Sequence, residues 1–148
     1  MEPVGWVEGG RADATDGSWY AEITRFVLDG RFGDEALAGL DGFSHIEVVF
    51  HFHQVPVSEI STTARHLRER ADWPKVGIFA QRGNGRSNRI GVTICKLLSV
   101  TGRALNVQGL DAINGTPVLD IKPVIKGFLP CGEIVEPALA GELMKNYW

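Results

Sequence analysis

The chain has 148 residues, of which 44% are hydrophobic and 22% are charged, and its formal net charge is −3. This length predicts one domain that spans residues 1–148, and the composition is ordinary for a globular protein. The slightly acidic balance excludes a general electrostatic attraction to nucleic acid, although it permits a local basic patch. No apolar run is long enough to span a membrane.

The cysteines and the first ten residues indicate the compartment. Cys95 and Cys131 form no metal-binding or redox motif, and Cys95 lies in an apolar run where a thiol usually behaves as a small buried hydrophobe. The first ten residues have neither the basic start nor the apolar core of a signal peptide. Both observations predict a reducing, cytoplasmic setting.

A short strand is predicted over Val4 to Val7, and alternating apolar and polar residues predict two further strands in the first half of the chain. One runs from Trp19 to Thr24 and the other from Phe43 to His53, with a short helix over 33–40 between them. In the second of these two strands, Ile46, Val48 and Phe50 share the face that is predicted to be buried. The opposite face carries His45, Glu47, Val49, His51 and His53.

The second half predicts more strands and little helix. An exposed helix is predicted from Ser58, as its N-cap, to about Ala71. Short strands follow at 76–80, 90–100, 104–110 and 118–125, and a final short helix covers 138–147. Within the strand at 90–100, the pair Leu97-Leu98 interrupts the alternation and predicts a bulge. The whole pattern favours a mainly β fold, a small closed or nearly closed β-barrel of about six to seven strands with a few short helices.

Two polar, glycine-rich stretches, 81–91 and 109–123, are the candidates for a functional site, because loops carry function when a rigid scaffold positions them. The first contains Gly83-Asn84-Gly85, which fits neither dinucleotide-binding nor P-loop spacing. It is compatible with a hairpin bearing solvated arginines, or with a cradle in which Arg82 and Arg89 face a carboxylate or phosphate.

Three other constellations leave alternatives open. His45, His51 and His53 share a strand face and form either a metal site or ordinary hydrogen bonds. Asp120 and Lys122 have the same strand parity and form either a structural ion pair or part of a polar cavity. A serine nucleophile is disfavoured, because no serine lies in a nucleophile elbow.

Four stretches resemble the TsaA-like family, whose characterised members are the tRNA methyltransferases called TrmO. They are 36–46 continuing into Phe52-His53, 77–82, 88–91, and 109–123 with its Asn-Gly-Thr-Pro-Val-Leu-Asp-Ile-Lys-Pro run. The resemblance implies a β-barrel, unlike the Rossmann-type methyltransferases, that binds S-adenosylmethionine, forms a homodimer and methylates a threonylcarbamoyl-modified adenosine in tRNA. It implies no metal.

The resemblance also implies site residues by position. The cofactor contacts would be His53, Gln81, Arg82, Asn88, Arg89, Ile90, Gly91, Leu110, Asp111 and Thr116. Methyl transfer to an amide-like nitrogen needs a base, for which the candidates are Asp111, Asp120 and His53. A basic surface for tRNA would include Arg65, Arg68, Arg70 and Arg86. The alternatives are a module that binds the cofactor without catalysis, or a methyltransferase for another small acceptor.

One loop differs from the family pattern. The family usually has prolines in the loop that corresponds to 82–89, whereas this chain has Gly83 and Gly85 and no proline there. Glycine raises the conformational entropy that a loop loses when it becomes ordered. The difference predicts a loop that is mobile without ligand or shaped for another acceptor.

Overall fold

The computed structural model describes residues 1–15 and 17–148. Six antiparallel strands close into a barrel in the spatial order β1-β2-β7-β6-β3-β8. These strands are β1 (Gly5–Glu8), β2 (Ile23–Leu28), β3 (His45–His51), β6 (Ile90–Thr101), β7 (Ala104–Gln108) and β8 (Pro117–Pro123). A separate two-stranded ribbon consists of β4 (Ala64–His66) and β5 (Lys75–Gly77), and one short helix, α1, covers Ala138–Met144 in the described chain. The predicted fold class is confirmed.

The barrel interior is an apolar core built by strand alternation. Ile46, Val48 and Phe50 of β3 are almost fully buried, as predicted, and they pack with Phe26 of β2 and Leu105 of β7. Burying one such side chain contributes about 1.5–3 kcal/mol. No helix within the described residues is long and apolar enough to cross a membrane.

A bulge in β6 allows one long strand to serve two neighbours. Residues 90–96 pair with β3 and residues 96–101 pair with β7, and the register shifts between Leu97 and Ser99. The predicted interruption at Leu98 is therefore confirmed. Bulges bend a strand and increase its local twist, which closing a small barrel requires.

A second bulge sets the outward face of β8. Its register against β3 shifts at Leu119, so that Val118 is buried while Asp120 lies opposite Val49 and Lys122 opposite Glu47. Asp120 and Lys122 share this face, as predicted, and form an ion pair on the barrel exterior. The Asp120 carboxylate raises the pKa of the Lys122 ammonium.

The helix predicted from Ser58 to Ala71 is wrong. The region contains a 3₁₀ turn at Val57–Glu59, strand β4 and another turn at Leu67–Glu69. Arg68 and Glu69 have φ values of 49° and 57°, which an α-helix does not permit. The pairing of β4 with β5 determines the conformation of this region. The region has too few apolar residues to form the buried face of a helix.

Three shorter elements also differ from prediction, because each contains a 3₁₀ turn where a strand or an α-helix was predicted. Trp19–Ala21 is a turn that precedes β2 instead of the first part of a strand. The helix over 33–40 is replaced by the turns Asp34–Leu37 and Leu40–Gly42. The strand at 76–80 ends at Gly77 and continues as the turn Ile78–Ala80. In each case the apolar residue that suggested an element is buried by tertiary contacts, as Trp19, Leu37 and Ile78 are.

A substitution at Gly91 tests how tightly the barrel interior is packed. A Cβ there would lie 2.4 Å from two ring carbons of Phe50, whose side chain is 1% exposed and cannot move aside. We expect Gly91→Ala to lower the free energy of unfolding by about 1–3 kcal/mol, the usual cost of overpacking. Urea unfolding measures this. Gly77→Ala is the control, since a Cβ at Gly77 would meet nothing within 4 Å. Equal losses in both variants would contradict the packing account.

Candidate functional site

A cleft with two lobes lies beside β6 and the 81–91 stretch. The apolar lobe has a volume of about 860 Å³ and the polar lobe about 580 Å³. Both volumes fall in the range of small-molecule sites. The apolar lobe is lined chiefly by Phe50, Phe52, Leu67, Phe79, Ile90, Val92, Ile94, Leu143, Met144 and Trp148.

Charged and polar side chains surround the second lobe. They include Thr15, Glu59, Arg65, His66, Glu69 and Asn84. Five residues line both lobes and define their junction: Phe52, Arg68, Arg82, Asp111 and Tyr147.

Asp111 is the only carboxylate among the described residues that line the junction, and two hydroxyl groups hold it. The Thr93 hydroxyl on β6 donates a hydrogen bond to Asp111 Oδ1. The Tyr147 phenol donates to Oδ2 at 2.5 Å. Burial, followed by the negative charge of Asp111, raises the pKa of the neighbouring Cys95 thiol to about 12. The site therefore contains a fixed negative charge beside an apolar surface.

The arginines of the 81–91 stretch brace the loop through backbone carbonyls. Arg86 Nη1 donates to the Ile78 and Gln81 carbonyls at 3.0 and 2.5 Å, and Arg82 Nη2 donates to the Val92 carbonyl at 2.7 Å. Arg89, with a φ of 52°, donates to the Val55 carbonyl at 2.7 Å. Arg82 retains further N–H groups at the junction, because a guanidinium carries five donors.

The two glycines of this loop make room for a neighbouring arginine. A Cβ at Gly83 would lie 2.7 Å from Arg65 Nη2, and one at Gly85 would lie 2.9 Å from Arg65 Nη1 and 2.7 Å from the Glu59 carbonyl oxygen. The Ser61 amide also donates to the Gly85 carbonyl at 3.0 Å. The glycines thus have a packing role in addition to the conformational freedom that the sequence suggests.

Gln81 joins the loop to the ribbon. Its buried side-chain nitrogen donates to the carbonyls of Val76 at 2.7 Å and Arg65 at 3.3 Å. Its oxygen accepts a bond from Arg65 Nε at 3.2 Å. These bonds give the Gln81 amide a structural role at the wall of the apolar lobe.

Half of the ten predicted cofactor residues meet in the cleft, and half lie elsewhere. Gln81, Arg82, Ile90, Gly91 and Asp111 line the lobes. Leu110 and Thr116 are buried, and Asn88 is exposed in the loop. The His53 ring lies beside the Asn114-Gly115 turn, with Nε2 3.8 Å from the position of a Cβ on Gly115. His53, Asn88, Arg89, Leu110 and Thr116 line neither lobe.

The three residues predicted as candidate bases lie in different places in the structure. Asp111 lies at the junction, whereas Asp120 is on the barrel exterior in its ion pair with Lys122. Neither Asp120 nor His53 lines a lobe of the cleft. Of the three candidates, Asp111 alone lines the cleft.

Sequence reasoning missed Thr93 and Tyr147. Thr93 was part of a strand pattern, and its buried hydroxyl gave no signal of a partner. Tyr147 and Trp148 are adjacent aromatic residues near the end of the sequence, and a sequence pattern does not show whether such a pair covers the core or a partner.

The three histidines do not converge on a metal site. His45 Nδ1 is bonded to the Ser44 hydroxyl at 2.9 Å. Burial, with the nearby charges of Arg89 and His53, lowers the pKa of His51. Within residues 1–15 and 17–148, no group of three or more His, Cys, Asp or Glu side chains is placed to hold a metal ion.

A closed β-barrel with a two-lobed cleft at its side defines the class as a barrel domain with a small-molecule-sized site. The family model described as "tRNA-methyltransferase O N-terminal domain" matches residues 16–128. The chain belongs to this family.

Named relatives and a solved structure agree with this assignment. The human "tRNA (adenine(37)-N6)-methyltransferase" is 38% identical over 113 residues, covering 76% of this chain and 25% of that protein. A "Probable S-adenosyl-L-methionine-binding protein" of Methanothermobacter thermautotrophicus is 35% identical over 127 residues, covering 83% of this chain and 88% of that protein. The crystal structure of TrmO from Pseudomonas aeruginosa superposes with a TM-score of 0.74 at 27% identity, covering 95% of this chain and 61% of that one.

The matched region is a fraction of several relatives. The chain spans about a quarter of the length of the human protein and 45% of the "tRNA (adenine(37)-N6)-methyltransferase" of Escherichia coli, with which it is 36% identical.

Thiol labelling tests the burial of Cys95. Burial raises the pKa of this thiol to about 12 and leaves it 2% exposed, so little of the reactive thiolate form is available to a reagent. Cys131 is exposed. We expect a disulfide reagent to titrate one thiol in the native protein and two in denaturant. Cys131→Ser should abolish native labelling; rapid labelling of that variant would contradict the burial of Cys95.

Proposed function

We propose that the chain binds S-adenosylmethionine in the apolar lobe and transfers its methyl group to an adenosine nitrogen in tRNA. The observation that carries this proposal is the Asp111 carboxylate at the junction of an apolar lobe and a polar lobe. The names of the relatives suggest the substrate class, an adenine of tRNA, and the cofactor.

The residues of the cleft fit the chemical parts of this cofactor. Ile90, Val92 and Phe79 offer an apolar slot for an adenine ring. The free N–H groups of Arg82 suit a carboxylate, which guanidinium binds through charge-assisted hydrogen bonds. Asp111 supplies negative charge for the positively charged sulfur. The 860 Å³ of the lobe accommodate a ligand of this size.

The proposed base that acts on the acceptor is Asp111. The cofactor supplies an activated methyl group; in the transfer the carbon–sulfur bond breaks with its electron pair on sulfur, a nitrogen–carbon bond forms, and the nitrogen loses a proton. Each Asp111 oxygen accepts one hydroxyl bond and keeps a second lone pair. Its position between the lobes lets the carboxylate accept that proton, provided the acceptor enters from the polar lobe.

The polar lobe is proposed to receive the acceptor. Arg65, His66 and Arg68 line it together with Glu59 and Glu69. Such a mixed surface suits a modified nucleoside that carries amide and carboxylate groups. Holding the two reactants in line accounts for much of the acceleration that this reaction needs.

Calorimetric titration with the cofactor and with its demethylated product tests the cofactor site. We expect both to bind, and Arg82→Ala to weaken both about tenfold, the value of a charge-assisted hydrogen bond. Asp111→Asn should weaken the cofactor more than the product, because only the cofactor carries a charged sulfur.

The matched control for Arg82→Ala is Arg25→Ala, since Arg25 pairs with Glu8 and lines neither lobe. Absence of binding to the folded wild-type protein would overturn the proposal. Equal weakening of both ligands by Asp111→Asn would remove the role of Asp111 beside the sulfur.

A second candidate is a module that binds the cofactor without catalysis. It is favoured by one observation, that both oxygens of Asp111 already accept hydroxyl hydrogen bonds. Under this hypothesis Asp111 neutralises the sulfur and never accepts a proton. Turnover with tRNA by the wild-type protein separates the two candidates.

We further propose that the chain acts as a homodimer in the cytoplasm. Phe128, Ile134 and Val135 are 87%, 70% and 85% exposed. Exposed apolar patches of this kind often mark protein contacts.

We propose that the basic surface for tRNA includes Arg65, Arg68, Arg70 and Arg86, of which Arg70 is the best suited to a charge-reversal test. Arg65 and Arg86 bond to Gln81 and to backbone carbonyls, whereas Arg70 is 52% exposed and pairs with Asp72. We expect Arg70→Glu to weaken tRNA binding several-fold and to reduce its salt slope by about one. Filter binding at several salt concentrations measures both effects.

Arg25→Glu provides the control for this charge reversal. Arg25 is 53% exposed and pairs with Glu8, so it matches Arg70 in exposure and ion pairing. If Arg70→Glu and Arg25→Glu changed tRNA binding equally, the proposal that tRNA contacts the β4–β5 ribbon would be wrong.

A further inference from the structure

The segment 143–148 crosses the junction of the two lobes. The Leu143 carbonyl accepts a bond from Arg68 Nη2 at 2.7 Å. The carbonyls of Asn146 and Tyr147 accept bonds from the Ser18 and Trp19 amides at 3.1 and 3.0 Å. These contacts hold the segment against two other parts of the chain, and its side chains form one wall of the apolar lobe.

Tyr147 brings its phenol to the carboxylate that the proposed reaction uses. The phenol donates to Asp111 Oδ2 at 2.5 Å, while the Thr93 hydroxyl donates to the other oxygen. The terminal torsion of an aspartate is otherwise broad, so a single donor leaves the carboxylate plane free to rotate. Donors on both oxygens fix that plane.

We infer that Tyr147 is a positioning residue that sets the orientation of the Asp111 carboxylate at the lobe junction. This inference rests on the proposed function. It goes beyond the family match, because the matched region is 16–128 and Tyr147 lies outside it. A hydrogen bond to a charged acceptor is stronger than one between neutral groups, so the phenol has the strength to hold the carboxylate.

Arg11 determines where this segment is anchored. Its guanidinium donates to the Gly17 and Ser18 carbonyls, both at 2.9 Å, and to Glu22 at 2.8 Å. It also stacks over the Trp19 ring at 4.3 Å. The Ser18 and Trp19 amides bind the 143–148 segment. Arg11 therefore holds the backbone to which the Tyr147 segment is bonded.

Removing one hydroxyl group tests the inference. We expect Tyr147→Phe to lower kcat about tenfold, the value of one hydrogen bond to a charged group, and to change the dissociation constant of the cofactor less than about threefold. The chain has two tyrosines, so Tyr20→Phe makes the same chemical change at a residue that is 57% exposed and lines neither lobe. Tyr20→Phe should keep wild-type kcat.

A double-mutant cycle separates positioning from a general structural role. If Tyr147 acts through Asp111, Tyr147→Phe should have little further effect on kcat in the Asp111→Asn background. Independent, multiplicative losses would overturn the inference.

Labelling the tyrosines with ¹³C at the ring carbon that bears the hydroxyl adds a readout besides activity. Two signals are expected, and Tyr20→Phe assigns them. Asp111→Asn should shift the Tyr147 signal and leave the Tyr20 signal in place, because only Tyr147 loses its acceptor. An unmoved Tyr147 signal would show that the bond does not form and would overturn the inference.

The outcomes also distinguish this inference from the proposed function. If the wild-type protein neither binds the cofactor nor methylates tRNA, the proposed function is wrong. The role of Tyr147 in that reaction is then wrong as well. An active wild-type protein whose Tyr147→Phe variant matches Tyr20→Phe in kcat overturns the role of Tyr147 and leaves the proposed function standing.

Discussion

The bend of β6 at Leu98 is the constraint on which the rest of the structure depends. The barrel closes through one long strand, β6, which pairs with β3 along its first half and with β7 along its second. The bulge permits this change of partner. The same strand supplies Thr93 to Asp111 and the apolar residues Ile90, Val92 and Ile94 to the cleft, so closure of the barrel and construction of the site use one element.

Close packing explains glycines that the sequence presents as turn residues. Gly91 lies where the Phe50 ring fills the space of a side chain, and Gly83 and Gly85 admit the Arg65 guanidinium. Arg65 in turn bonds to Gln81, which reaches back to Val76 of the ribbon. The loop beside the cleft is therefore shaped by contacts with the ribbon as well as by its own backbone freedom.

The local sequence pattern predicted the barrel strands. The elements that it failed to predict are those whose conformation depends on contacts between distant parts of the chain. Alternation in β3 and the interruption at Leu98 were visible because a strand's period and its irregularities are local properties. The ribbon was mistaken for a helix, since three residues of β4 are stable only against β5 and the Gln81 side chain. The cleft was located through two loop stretches, but Tyr147 reaches Asp111 across 36 positions of sequence, and no local pattern encodes that contact.

Asp111 and Asp120 show how surroundings assign different roles to the same side chain. Asp120 pairs with Lys122 on the barrel exterior, where solvent screens an exposed ion pair. Asp111 is held by two hydroxyl groups, which carry no charge. The hydroxyl bonds hold this carboxylate in position at a junction that Arg68 and Arg82 also line. Attraction for a cation and the capacity to accept a proton are the two properties of a carboxylate that the proposed methyl transfer would use.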